Sequence, residues 1–206
     1  MSDSRERLTN AFKLFPGIGP RQAKRFVYFL LSRGQAFSGE LAKELNKLHE
    51  NVTRCEVTFQ HFQKTEPEQT RSPLAQDESR DHSRLLVVET DMDLEAIETT
   101  GAYDGMYFVL GTHGSLADDQ LEKNAHLPAL QDIIQTHYSN NLEELIIATS
   151  VTPEGELLHD TIAQFLENTA DDLGFRISTL GRGLSTGTEL EYIDENTFKY
   201  ALEGRN

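Results

Sequence analysis

Residues 15–25 read FPGIGPRQAKR and join a glycine-containing turn to the start of a basic helix. Gly17 and Gly19, two residues apart, predict a tight turn that leaves backbone N–H groups free. Pro20 follows at a position where the first turn of a helix accepts proline, because an N–H group has no helical partner there. The stretch therefore predicts a helix N-terminus, and the N–H groups at such an end attract anions.

The predicted helix carries three positive charges close to its beginning. Arg21, Lys24 and Arg25 follow one another at i, i+3 and i+4, a spacing that places them on one helical face. Together with the turn they suit a sequence-independent, salt-sensitive contact with nucleic-acid phosphates. The competing interpretation is a basic face that is merely solvated. The adjoining turn and the local concentration of charge favour DNA.

Charge is divided unevenly along the chain. The formal net charge is −15, yet residues 1–54 hold ten Lys and Arg against five Asp and Glu. The other 152 residues hold nine Lys and Arg against 29 Asp and Glu. A basic head can bind a polyanion while an acidic body repels it and favours protein partners or metal ions. Surface acidity that only keeps the body soluble explains the same carboxylates.

Length and composition exclude several classes of protein. At 206 residues the chain makes one medium domain or two small ones. It has no apolar run near the roughly 18 residues that a membrane span needs, and its start, MSDSRERLTN, does not have the pattern of a signal peptide. A single cysteine, Cys55, excludes an intramolecular disulfide and fits a reducing compartment, so we expect a cytoplasmic protein.

Hydrophobic periodicity separates a helical head from the rest of the chain. The spacing of apolar residues predicts helices over 4–14, 20–33 and 38–51, with Gly34 ending the second. Residues 54–83 are polar, include two prolines and lack periodicity. They predict a long excursion or a linker, with poor order as one expectation.

From residue 84 onward, short apolar runs alternate with helical patterns. The runs lie at 85–88, 107–110, 145–148 and 176–180, and the helices between them at 93–100, 127–138 and 154–173. Continuous apolar strands separated by helices predict a parallel sheet that is covered on both faces. The predicted fold class is therefore α/β, and the chain closes with a glycine-rich loop and a short helix.

These landmarks, in this order, resemble the RecR family of bacterial recombination mediators. The matching stretches are FPGIGPRQAKRFVYFLL, SRLLVVETDMDLEAIETTGAYDGMYFVLG, ELIIATSVTPEGE and GRGLSTGTELEYIDENTFKYALEGR. The resemblance implies four parts: a helix-hairpin-helix DNA-binding module at 1–53, a zinc-finger-like segment at 54–80, a Toprim domain at 81–176 and a C-terminal segment at 177–206.

The resemblance also implies a function. RecR proteins have no known catalytic role, and they form ring-shaped homo-oligomers that surround or hold DNA. With RecO, and in some lineages RecF, they help to load RecA onto single strands coated by single-strand-binding protein. For this chain it implies a nucleoid-associated DNA-repair mediator that acts as a dimer or tetramer. Arg21 and Arg25 match the basic positions at which RecR proteins touch the DNA backbone.

The chain departs from the family at its zinc finger. The pattern of four cysteines would start at Cys55, but its second position holds Thr58, and its second pair would fall near residues 68–71, which read EQTR. Structural zinc normally takes four Cys or His ligands. Three other residues could in principle join Cys55 around a metal, although their spacing does not indicate it; they are His61, Glu66 and His82. We therefore expect a degenerate finger without zinc, held by packing or left mobile.

The carboxylates of the Toprim part also depart from those of Toprim enzymes. Glu89 ends the first strand as expected, but the third strand ends without the Asp-x-Asp that binds Mg²⁺ in such enzymes. Asp91 and Asp93 have that spacing on the wrong strand, where they could hold Mg²⁺ only weakly, with water and with Glu154 or Glu156 from a later loop. By resemblance, Glu89, Glu154 and Glu156 help to form the surface that RecO and RecF recognise, or cap local helices.

Three functions from different classes remain to be compared. The leading one is a non-enzymatic DNA-binding mediator. The alternative is a Mg²⁺-dependent Toprim nuclease that uses Glu89, against which the missing Asp-x-Asp and the lack of a suitably placed tyrosine argue. The third is a scaffold for partners that no longer binds DNA, against which the intact basic turn argues.

The loop at 181–187, GRGLSTG, lacks the end of a P-loop, so its glycines are expected to form turns.

Overall fold

The computed structural model describes residues 3–111, 126–139 and 141–180. The chain divides into two compact units. A helical unit comprises Met1–Arg54 with His61–Thr70, and a sheet unit comprises Cys55–Gln60 with Arg71–Asn206. Among the described residues, no helix is both long and apolar enough to cross a membrane. The predicted C-terminal loop and helix lie outside the described residues.

Two helices form most of the helical unit. α1 (Ser4–Phe12) begins after Asp3, whose side chain accepts a hydrogen bond from the Arg5 N–H. α2 (Pro20–Asn51) is interrupted at Gly34, which has φ 82° and ψ 176° and so leaves the helical conformation. Glycine suits this position because other residues are strained at such a φ. The two helices predicted over 20–33 and 38–51 lie on either side of this break.

The helical unit has a small apolar core. Phe12 of α1 meets Phe26 of α2 edge to face, with ring centroids 5.5 Å apart. Ala23 and Val27 of α2 are buried, so the start of α2 turns one face inward. Further along α2 the apolar side chains are exposed, and they are Leu31, Phe37, Leu41, Leu45 and Leu48.

The predicted linker at 54–83 is wrong, because this stretch is built of short ordered elements. β1 (Val52–Arg54) pairs antiparallel with β2 (His61–Gln63), and a one-turn helix, α3, spans Pro73–Gln76. Five of its side chains are buried: Cys55, Val57, Thr58, Phe62 and Ser72. Elements of three or four residues are too short to produce a periodic pattern, which is why the sequence did not indicate them.

The described part of the sheet unit is organised around four parallel strands. They are β3 (Asp81–Val88), β4 (Gly105–Val109), β5 (Glu144–Ala148) and β6 (Arg176–Thr179), in the spatial order β4-β3-β5-β6. In the central register Val87 lies between Phe108 of β4 and Ile147 of β5. The predicted parallel sheet is confirmed. Its strands lie where the continuous apolar runs placed them.

Helices cover both faces of this sheet. α4 (Asp91–Thr100), α5 (Leu127–Ile133) and α6 (Pro153–Leu173) connect the strands. α5 continues into a wider π-helical turn at Ile134–Tyr138, within the range predicted as one helix. Successive strand residues point to opposite faces. One face therefore packs on α5 and α6, and the other, which includes Leu86 and Val88, packs on α4.

Candidate nucleic-acid interface and acidic edge

The turn between α1 and α2 is closed by backbone hydrogen bonds. The Phe15 N–H donates to the Phe12 carbonyl at 3.2 Å, and the Ile18 N–H donates to the Phe15 carbonyl at 3.1 Å. Gly17 has φ 73°, and no atom lies within 4 Å of the place where its Cβ would be. Glycine is therefore required at this position by the backbone conformation rather than by lack of space.

The first turn of α2 is left uncapped. Gly19 is the N-cap residue and has an extended backbone, and it has no side chain to accept a hydrogen bond from the first turn. Pro20 occupies the first turn, and the Ala23 N–H donates to the Gly19 carbonyl at 3.0 Å. The N–H groups of Arg21 and Gln22 thus lack a helical partner, as expected at a helix N-terminus. This end of α2 can accept an anionic ligand.

The three predicted cations lie on the exposed face of this first stretch of α2. Arg21, Lys24 and Arg25 are exposed, whereas Ala23 and Val27 are buried on the other face. Within the described residues, none of the three cations forms an ion pair or a hydrogen bond through its side chain. No carboxylate of the described part of the chain therefore pairs directly with these three cations.

A polar groove of about 440 Å³ between α1 and α2 adjoins this surface and carries charges of both signs. Arg5, Lys13 and Lys24 line it, together with the carboxylates of Asp3 and Glu6. The Lys13 ammonium donates to the Asn10 side-chain oxygen at 3.3 Å. Sequence reasoning missed Lys13 because it follows α1, and helical spacing along α2 carries no information about it.

The acidic residues after β3 belong partly to a helix cap. The Thr90 side chain accepts a hydrogen bond from the Asp93 N–H at 3.3 Å. In return, the Asp93 carboxylate accepts bonds from the Thr90 N–H at 2.9 Å and from the Thr90 hydroxyl at 2.6 Å. Asp93 therefore caps α4, and Asp91 lies in the same first turn, where a negative charge is favourable.

The other acidic residues lie at the same edge of the sheet. The Ser150 N–H, just after β5, donates to the carboxylate of Glu89, just after β3. Gly155 lies so close to Ser150 that its Cβ would be 2.0 Å from the Ser150 carbonyl oxygen. Glu154 and Glu156 are exposed in the first turn of α6. Ser150 was not singled out in the sequence, because only the register of β3 with β5 brings it to Glu89.

The described residues of this acidic edge are not gathered into a ready-made metal site. Throughout the described ranges, no three His, Cys, Asp or Glu side chains converge as metal ligands. Asp93 is committed to its cap, and Glu89 accepts a hydrogen bond from Ser150. Mg²⁺ in proteins commonly keeps several waters and takes only one or two carboxylates, so weak binding at this edge stays a prediction.

The degenerate finger is organised around a buried thiol. Cys55 is fully buried, and its sulfur accepts hydrogen bonds from the N–H groups of Ser72 at 3.3 Å and Thr58 at 3.5 Å. Burial raises the pKa of Cys55, but these hydrogen bonds lower it and leave it below its ordinary value. Ser72, which donates its N–H to the sulfur, lies just after residues 68–71, where the family pattern would place the second pair of cysteines. One thiol and two hydroxyls do not fit structural zinc.

The fold and its surfaces define a class of protein: a Toprim-type α/β domain that carries an N-terminal helical hairpin module. Family models agree with this along the chain. The model "RecR, helix-hairpin-helix" matches residues 5–49, "Toprim domain" matches 83–180 and "RecR, C-terminal" matches 183–206.

Curated relatives match over nearly their whole length. The protein of Magnetococcus marinus is 37% identical over 200 residues, which cover 97% of this chain and 94% of the relative. The protein of Acidithiobacillus ferrooxidans is 37% identical, and the match covers 98% of this chain and 95% of the relative. The protein of Alcanivorax borkumensis is 34% identical, and the match covers 97% of this chain and 94% of the relative. Each is named "Recombination protein RecR". The chain belongs to the RecR family of recombination proteins.

Proposed function

We propose that this chain is a non-enzymatic, DNA-binding mediator of recombinational repair. It acts as a homo-oligomer in the cytoplasm, associated with the nucleoid, and works with RecO-like and RecF-like partners to load RecA. The observation that carries the proposal is the N-terminus of α2, which Gly19 leaves without a side-chain cap, beside three exposed cations that form no ion pair with any described residue. The names of the relatives, all recombination proteins, support the biological setting.

The proposed DNA contact is made to the phosphate backbone. Arg21 and Arg25 supply charge, while the N–H groups of the first turn of α2 supply oriented donors. Gly17 and Gly19 allow the backbone to approach the phosphates, since both are exposed and lack side chains. Contacts of this kind are independent of base sequence and release counterions, so binding weakens steeply as salt rises.

The test is a double charge reversal, Arg21→Glu with Arg25→Glu. Its matched control is Lys43→Glu with Lys47→Glu, which makes the same charge change at the same spacing on the distant part of α2. In fluorescence-anisotropy titrations, we expect the first variant to bind oligonucleotides at least tenfold more weakly. The slope of log K against log salt should fall by roughly 1 to 2, the loss of about two phosphate contacts.

The control should keep its slope and most of its affinity. Both variants should retain the helical circular-dichroism signal and the oligomeric mass of the parent protein. Equal affinity of the first variant and the control would contradict the assignment of DNA contact to the basic turn.

The proposal includes the absence of strand cleavage. We expect plasmid DNA incubated with the protein and Mg²⁺ to stay supercoiled, with the same result for Glu89→Gln. Metal-dependent nicking that disappears in Glu89→Gln would instead establish the nuclease alternative.

We further propose that the acidic edge, Glu89 with Asp91, Asp93, Glu154 and Glu156, is the surface for RecO-like partners. Its negative charge suits a basic partner surface and steers association. Glu154→Lys with Glu156→Lys should weaken binding of a purified RecO-like protein. Glu167→Lys with Asp171→Lys, exposed at the other end of α6, is the matched control. Equal loss of binding in both variants would show general charge attraction rather than a surface at this edge.

A further inference from the structure

The loop Cys55–Gln60 is closed around the sulfur of Cys55. The Cys55 N–H donates to the Gln60 carbonyl at 2.8 Å, and the Phe59 N–H donates to the Cys55 carbonyl at 3.1 Å. Inside this turn, the Thr58 N–H points to the Cys55 sulfur at 3.5 Å. The Thr58 hydroxyl, at the expected position of a metal-binding cysteine, instead donates to the Gln60 side-chain oxygen at 3.3 Å.

The same sulfur also holds a second segment, 17 residues away in the sequence. The Ser72 N–H donates to the Cys55 sulfur at 3.3 Å. The Ser72 hydroxyl accepts a bond from the Ala75 N–H at 3.2 Å and thereby starts α3. At the surface, the Arg71 guanidinium pairs with the Glu56 carboxylate at 2.7 Å. One sulfur therefore joins two separate stretches of backbone, which is the structural task of a metal ion in a finger.

We infer that the hydrogen-bonded cluster of Cys55, Thr58 and Ser72 braces this segment without a metal ion. All three residues are fully buried, so each unmade hydrogen bond there would leave a desolvated N–H group. The brace also serves the sheet unit. It fixes the loop whose Thr58 carbonyl accepts a bond from the Val109 N–H at 2.8 Å, at the outer strand β4.

Metal content and stability together test the inference. The protein is expressed in zinc-supplemented medium and purified without chelator, and its zinc is measured by mass spectrometry of the elements. We expect far less than one zinc ion per chain and an unchanged melting temperature when a strong chelator is added. A zinc content near one per chain, or a lower melting temperature with chelator, would overturn the inference.

Two substitutions at Cys55 separate the hydrogen-bonding role from metal binding and from packing. Cys55→Ala removes the acceptor and leaves the N–H groups of Thr58 and Ser72 unpaired, so we expect the melting temperature to fall by roughly 5 to 10 °C. Cys55→Ser keeps an acceptor atom, so its melting temperature should fall by less than half as much as that of Cys55→Ala. If the sulfur only filled space, the apolar alanine would be tolerated at least as well as serine. A melting temperature of Cys55→Ala equal to or above that of Cys55→Ser would therefore overturn the inference.

Discussion

At the scale of single residues, one of the most extensively hydrogen-bonded side chains among the described residues of the sheet unit, Arg80, has no sequence signal. The Arg80 side chain is only 9% exposed, and its guanidinium pairs with both carboxylate oxygens of Glu98, at 2.7 and 3.0 Å. It also donates to the Gly105 carbonyl at 2.8 Å and lies over the Tyr107 ring, 5.3 Å from its centroid. Arg80 thus joins the start of β3 to α4 and β4.

We expect Arg80→Met to lower the free energy of unfolding by about 2 kcal/mol. The substitution leaves the Glu98 carboxylate and the Gly105 carbonyl without their partner, and the partial exposure of Glu98 limits the loss. Arg84→Met is the matched control, since Arg84 pairs with Asp81 and Asp104 near the surface and should cost less than about 1 kcal/mol. Urea unfolding measures both, and equal losses would contradict this view of Arg80.

Three carboxylates of the sheet unit contribute to the dependence of stability on acid pH. Hydrogen bonds from Ser83 and Arg84 lower the pKa of Asp81 to about 2, and the Arg80 guanidinium lowers that of Glu98. The Ser178 hydroxyl and Arg176 lower that of Glu144. A pKa lower in the folded state stabilises the protein above the unfolded value, and this stabilisation is lost as pH falls toward the folded value.

Stability should therefore be constant from neutral pH down to about 5 and should fall between about pH 4.5 and 2. Thermal unfolding across this range measures the effect. Asp81→Asn removes one of the titrating groups, so its curve should lie lower at neutral pH and fall less steeply below pH 4. Parallel curves for the variant and the parent would show that Asp81 does not contribute.

The sequence could predict a residue's role where its neighbours are close in the chain, but not where they are distant in the chain. Arg21, Lys24 and Arg25 share a face because helical spacing is local, and the sequence shows it directly. The partnership of Arg80 with Glu98 spans 18 residues and exists only because β3 packs beside α4. The contact of Ser150 with Glu89 likewise depends on strand register.

At the scale of elements, a helix or strand could be predicted when its apolar pattern was long and continuous. The four strands of the sheet were predicted because apolar runs such as 85–88 are buried on both faces. The hairpin of β1 and β2 was missed, since strands of three residues leave no pattern. The order around Cys55 comes from hydrogen bonds to backbone groups, which no side-chain pattern reports.

Two glycines of α2 should respond in opposite directions to alanine. Gly34 has φ 82°, so Gly34→Ala places a side chain in a strained conformation and should destabilise the protein by about 1 kcal/mol. Gly39 lies on the same helix, with open space around its Cβ position and no positive φ. Gly39→Ala should therefore stabilise it by up to about 1 kcal/mol. Chemical unfolding measures both, and stabilisation by Gly34→Ala would contradict a required break in α2.

At the scale of the whole molecule, the division of charge makes the proposed DNA contact compatible with an acidic net charge. Residues 1–54 carry a positive excess, while the remaining chain is strongly acidic. A single basic head offers few phosphate contacts, and their number grows when several copies bring their heads onto one DNA. The proposed oligomer and the proposed DNA contact therefore depend on each other.

The exposed leucines of α2 are the surface that we expect to bring copies together. Leu41, Leu45 and Leu48 follow at i, i+4 and i+7 and are 39%, 53% and 52% exposed. Together with Leu8 and Leu31 they line or adjoin an apolar groove of about 550 Å³ within the helical unit. A groove lined by several exposed leucines is a candidate interface between proteins.

Leu45→Glu should therefore reduce the oligomeric mass, because it places a charge in the centre of the apolar stripe. Leu45 is half exposed, so the substitution should leave the folding of the chain intact. Asn46→Glu is the matched control, since it makes the same charge change at the next, exposed position of α2. Size-exclusion chromatography with light scattering should show a smaller species for Leu45→Glu alone, together with weaker DNA binding because fewer basic heads act together. An unchanged mass would exclude this stripe as the interface and would require the oligomer, if it forms, to use another surface.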